Sequence, residues 1–158
     1  MSRRPEIARA ESAHVVCVDA WVERVARQLS SRELLHAFED AFGAVWRRAH
    51  RTLGEITLVA IAGRTLYSTS EKLPLLSCLQ VDGRGLRCEE LEMRIDAVDR
   101  EALEEATRRV LVELLTVIGN LTAEVLTPAL HLELSRVAAR GTLSAEGAAE
   151  SSDPKAKR

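Results

Sequence analysis

Two copies of a Glu-x-x-His spacing stand in the first quarter of the chain, Glu11-Ser-Ala-His14 and Glu33-Leu-Leu-His36. On a helix, positions i and i+3 share a face, so each copy brings a carboxylate and an imidazole together. Two such pairs joined by two further glutamates build a carboxylate-bridged di-metal site in four-helix bundles. In that pattern another Glu-bearing helix separates the two pairs, whereas here they fall on consecutive helices. Glu33 also has a competing role as a helix cap. Glu11, His14, Glu33 and His36 are therefore candidates by residue type alone, and neither a metal nor any other cofactor is expected. His14-Val-Val-Cys17 has the spacing of a zinc half-site, with Cys78 and Cys88 as distant partners, but structural zinc draws its ligands from two close-spaced pairs and the second pair is missing. His50 and His131 stand alone and read as solvated or hydrogen-bonded side chains.

Glu113 poses a different question. It is the only formal charge in Val110–Leu121, VLVELLTVIGNL. A carboxylate among apolar neighbours must find a partner, rise in pKa or face a cavity. Arg109, one turn earlier, is the nearest partner in sequence, and Arg108 is close. The first expectation is an ion pair or an exposed strip; the second is a ligand pocket at Glu113 and Arg109. No Gly-x-Ser-x-Gly, phosphate-binding Walker loop or His-Glu-x-x-His occurs, and Gly83-x-Gly85 lacks the third glycine of a dinucleotide fingerprint. No reaction follows from these residues, and the chain reads as non-enzymatic.

The elements that carry these side chains are helical. Apolar residues surround Val110–Leu121 in nearly every direction, so a helix from Asp99 to Val125 is expected to be covered on most of its circumference. Gly119 inside it costs about 1 kcal/mol relative to Ala, and close approach of a neighbouring helix would offset that. From Ile7 to Leu29, Val15, Val18, Val22, Val25 and Leu29 recur at spacings of three and four, a coiled-coil-like seam. Ser30-Ser-Arg-Glu33 has the spacing of a capping box and opens a second helix with a similar seam, Leu35, Phe38, Phe42, Val45 and Ala49. Thr52-Leu-Gly-Glu55 repeats the capping-box spacing and marks a break near Gly54. Residues 55–72 read as helix or as a hairpin, with helix favoured because the apolar run continues past Gly63 in register. Pro74 opens a short turn. Asp82-Gly83 marks a tight turn whose flanks, Leu79–Val81 and Leu86–Cys88, pair as a small hairpin, or residues 89–95 form a short helix. Thr127 caps and Pro128 begins a last helix ending near Arg140.

The totals narrow the function. Net charge is −2, from 22 Lys and Arg against 24 Asp and Glu, so no basic field draws a phosphate backbone. Aromatics at 3% leave few stacking platforms for single-stranded nucleic acid. Three widely spaced cysteines point to a reducing compartment, MSRRPE precedes no apolar stretch of a signal peptide, and no run reaches the length that crosses a bilayer.

The expectation is a mainly α, single-domain helical bundle around a buried helix in the C-terminal half, with a small hairpin or irregular insert near 79–95. A basic leader covers 1–6, the helical domain 7–140 and a disordered tail 141–158. The function expected is a non-enzymatic, cytosolic, bacterial signalling or scaffolding protein working through helix–helix contacts with an unknown protein partner, without nucleic acid or membrane insertion. Two heptad seams exceed what one short domain needs, so a homodimer is expected through Val15, Val18, Val22 and Val25 with Phe38 and Phe42. The alternative is a small-ligand or metal sensor.

Overall fold

The computed structural model describes residues 3–137. The fold is mainly helical, six helices packed on one another with a two-stranded hairpin. The readings of a disordered tail and of a helix end near Arg140 lie outside the described residues.

Helix α1 (Arg3–Trp21) begins inside the stretch read as a leader and passes into one π-helical turn, Val22–Ala26. The Ser30 capping box forms as its spacing predicts. The Ser30 hydroxyl accepts from the Glu33 amide at 3.2 Å, and the Glu33 carboxylate accepts from the Ser30 amide at 3.0 Å. Two donors that the first turn of α2 (Ser31–Leu53) leaves unpaired are thereby satisfied. The break at Gly54 is also present, by another means than the predicted box. Gly54 adopts φ +79°, a region that suits glycine, and caps both α2 and α3 (Glu55–Lys72) through its backbone. Residues 55–72 are helix, not hairpin.

A 3₁₀ turn, Pro74–Cys78, leads into strands β1 (Gln80–Asp82) and β2 (Gly85–Arg87), antiparallel with Val81 opposite Leu86. The Asp82 carboxylate closes the turn by accepting from the Arg84 amide at 2.8 Å. Helix α4 (Glu89–Met93) follows directly, so the insert holds both the hairpin and the short helix. Helix α5 (Arg100–Leu121) starts at Asp99, whose carboxylate accepts from the Ala102 amide, and helix α6 covers 127–137.

Helix α5 is central: it packs against α1, α2 and α3. It buries Leu103, Ala106, Val110, Leu111, Leu114, Leu115 and Ile118, yet the expected cover is incomplete. Val112, Glu113, Thr116 and Val117 are half-buried, and Asn120 and Leu121 are exposed. A strip of this helix therefore faces outward beside α3.

The seams are used inside the chain. Val18, Val22, Phe38 and Phe42 are all buried in the core of a single copy. Phe38 meets Phe42 edge-on at 6.0 Å, and Phe42 stacks on Trp46 at 6.1 Å between ring centres. The dimer expectation gave these four residues to a second copy; they are spent closing α1 and α2 onto α5 instead. Only Val15 and Val25 of the six keep partial exposure.

Candidate functional site

Helices α3 and α5 lie antiparallel with a groove along their junction. At one end Ala60, Ile61, Arg64, Thr65 and Ser68 face Glu113, Val117, Asn120 and Leu121 around a volume of about 470 Å³. At the other, Ser68, Thr69 and Lys72 face Arg108, Arg109, Val112 and Glu113 around about 280 Å³. Ser68 and Glu113 belong to both ends, so the two volumes adjoin. From Ala60 to Lys72 the groove runs roughly 18 Å at the usual helical rise. The surface lining its first end is mainly apolar, although Arg64, Thr65, Ser68, Glu113 and Asn120 contribute to it; its second end is basic.

The predicted pairing of Glu113 with Arg109 is not made. Arg109 turns the other way, to Glu105 at 3.2 Å, and Arg108 bonds Asp19 on α1 at 2.6 Å. Among the described residues Arg64, Lys72 and Glu113 enter no ion pair. Glu113 thus meets its apolar neighbourhood by facing the groove.

Along the groove's outer edge, α3 carries a stripe that core packing does not use. Ile56, Ala60, Gly63 and Tyr67 recur at spacings of four, three and four, and all are exposed, Ile56 at 87% and Tyr67 at 71%. Leu121, 60% exposed, stands at the groove's rim.

A second constellation is built around His14. Its ring is fully buried, with Nδ1 2.9 Å from Nε2 of His131 on α6 and Nε2 3.3 Å from the Glu124 carboxylate. The rings meet edge to face at 5.1 Å. Glu124 also accepts from the Thr127 hydroxyl at 2.6 Å. Burial lowers the pKa of both histidines; Glu124 and then Glu11 oppose it at His14, while at His131 the neighbouring His14 adds to it and Glu124 opposes.

The chain matches no protein-family model, no curated protein and no solved structure. The geometry alone has to carry the function.

The two Glu-x-x-His motifs are not gathered. Glu33 is occupied at the Ser30 cap, His36 holds Glu92 at 3.1 Å on the surface, and His14 turns to His131. The zinc half-site is not completed either. Cys78 lies beside Arg94, Cys88 is buried below Glu39, Glu89 and Glu92, and all three cysteines are free. Among the described residues no three His, Cys, Asp or Glu side chains are grouped to hold a metal. Sequence reasoning singled out His14 and missed its partner, because His131 is 117 positions away and no local spacing ties them.

Proposed function

We propose that the chain is a non-enzymatic interaction module whose docking face is the outer stripe of α3 with the adjoining α3–α5 groove. Its occupant is an amphipathic helix of a partner protein. The observation that carries this reading is the stripe Ile56, Ala60, Gly63 and Tyr67, left exposed beside an open apolar groove in a chain whose other seams are buried. Contiguous apolar surface of this kind marks interaction sites, and a helix laid in a groove reads it at i, i+3 and i+4. The groove's length matches about three helical turns. Arg64 and Lys72, which enter no ion pair among the described residues, call for acidic side chains on the incoming helix, and Glu113 between them calls for one donor or basic side chain. No helix among the described residues is long and apolar enough to cross a membrane. With three free cysteines, a reducing cytosolic setting fits best.

The groove's apolar end also has the size of a small-molecule pocket, which supports a ligand sensor as the second reading. A photoreactive benzophenone side chain at Ala60, with the same group at the exposed Asp40 on α2 as control, separates them. The docking reading expects a protein adduct at Ala60 that maps to an acidic amphipathic segment and disappears in Leu121→Glu. A small molecule retained in native mass spectrometry, with no protein adduct, supports the sensor. Adducts equal at both positions would refute the docking face.

A further inference from the structure

The part-buried His14–His131 contact has no part in the docking face and calls for its own account. We propose that it is a proton-operated clasp that holds α6 against α1 and opens in acid. His14 Nδ1 and His131 Nε2 lie 2.9 Å apart, so one of them carries a hydrogen and the other accepts it. His14 Nε2, on the far side of the ring, faces Glu124. The three groups are in line, not around a common point, which suits proton transfer better than a metal ion.

The proton count sets the behaviour. In the neutral pair a single hydrogen lies between the rings. A first proton taken from solvent is accommodated: His14 becomes an imidazolium, its Nε2–H directed at the Glu124 carboxylate and its Nδ1–H donated to His131 Nε2, with the hydrogen of His131 on Nδ1. A second proton must go to His131 Nε2. Two N–H donors would then face each other across 2.9 Å with no acceptor between them and two positive charges in contact. The contact breaks, and both rings are satisfied only once α6 moves away and admits water.

The surrounding charges do not relieve this. On α1, Glu11 faces His14 from its own helix. The α5–α6 turn supplies Glu124, already shared with the Thr127 hydroxyl. Helix α5 meets α1 with charge only at the Arg108–Asp19 pair among the described residues, and Glu133 of α6 is held by Arg136. Burial holds both rings below the ordinary histidine value of 6.5. The stability they confer as neutral groups is therefore complete above about pH 6.5 and is lost as pH falls through their lower folded-state values. Helix α6 keeps Leu130 and Leu134 in the core, so opening is a local detachment opposed by those contacts.

Amide hydrogen exchange on the full chain at about pH 7.5 and about pH 5, corrected for intrinsic rates, tests the clasp. In the wild type, residues 127–137 are expected to lose at least about tenfold of their protection at the lower pH while α2 and α3 keep theirs. His131→Gln, whose amide still pairs with His14 but does not titrate, is expected to show no such loss. Equal protection at both pH values, an equal loss in His131→Gln, or simultaneous loss in α2 and α3 would each overturn the proposal. Should His131→Gln fail to fold, imidazole resonances of the wild type decide. Two separate titration steps, with α6 opening at the second, support the clasp; a single step at the ordinary value refutes it.

Discussion

The Glu124 carboxylate occupies the space where a β-carbon on Gly119 would stand: one built there would lie 2.5 Å from Oε1. Gly119 was expected to admit a neighbouring helix, and it admits instead a side chain from the turn that ends its own helix. Gly119→Ala would gain about 1 kcal/mol of helix propensity. It would also displace Glu124 from His14 and Thr127, so a net loss of about 1–2 kcal/mol is expected. Urea unfolding of Gly119→Ala, Glu124→Ala and the double variant checks this. Because the clash needs both side chains, the two losses should be clearly less than additive.

The turn after α5 makes a second claim testable. Glu124 N–H donates to Gly119 C=O at 2.7 Å and Ala123 N–H to Asn120 C=O at 3.4 Å, the paired bonds of a Schellman motif. Ala123 and Glu124 both take positive φ, 50° and 63°. Glycine is the usual residue at the first of these positions, and an alanine there is strained by about 1 kcal/mol. Ala123→Gly is expected to raise stability by about 0.5–1 kcal/mol, read as a higher denaturation midpoint at unchanged slope. A lower midpoint would contradict the left-handed assignment.

Val18 and Phe42 separate a core seam from an interface seam. A charge at a dimer contact gives a soluble monomer, whereas a charge in a closed core unfolds the chain. Both residues are fully buried in one copy. Val18→Asp should therefore abolish cooperative unfolding, and Phe42→Ala should cost about 3–5 kcal/mol. Circular dichroism melts check both; a folded Val18→Asp protein of reduced mass in solution would restore the interface.

These two residues also show how far the sequence could be read. Heptad spacing locates a helix and its apolar face, but it does not say which surface covers that face, because burial inside a chain and burial between chains demand the same residue types. Ser30 was legible as a cap because a cap is settled within one turn. The end of α5 was not, since Ala123 takes a glycine's conformation without a glycine to mark it. Thr127 was read as a cap, yet its hydroxyl goes to Glu124 and the helix begins at that residue. The exposed stripe on α3 was legible only as an apolar run in helical register, which does not say whether that face is covered. His14 was found by its spacing to Glu11, a contact of secondary importance, while its direct partner is contributed by α6 through tertiary packing.

Cys88 offers a test of the insert that involves neither site. It is buried, and its thiol is pushed far above the ordinary range, first by burial and then by the negative charges of Glu39, Glu89 and Glu92. Thiolate, not thiol, reacts with disulfide and maleimide reagents, so Cys88 should be unreactive in the folded chain. Cys78 is half-buried with its sulfur 3.6 Å from the Arg94 guanidinium, and Cys17 is half-buried with its pKa raised by burial. Labelling near neutral pH should modify Cys78 first, Cys17 more slowly, and Cys88 only as the chain unfolds. Peptide mapping against time distinguishes the three. Early modification of Cys88 without loss of helix signal would mean that β2 and the residue after it do not stay packed on α2 in solution, and the packing of the 79–95 insert would have to be redrawn.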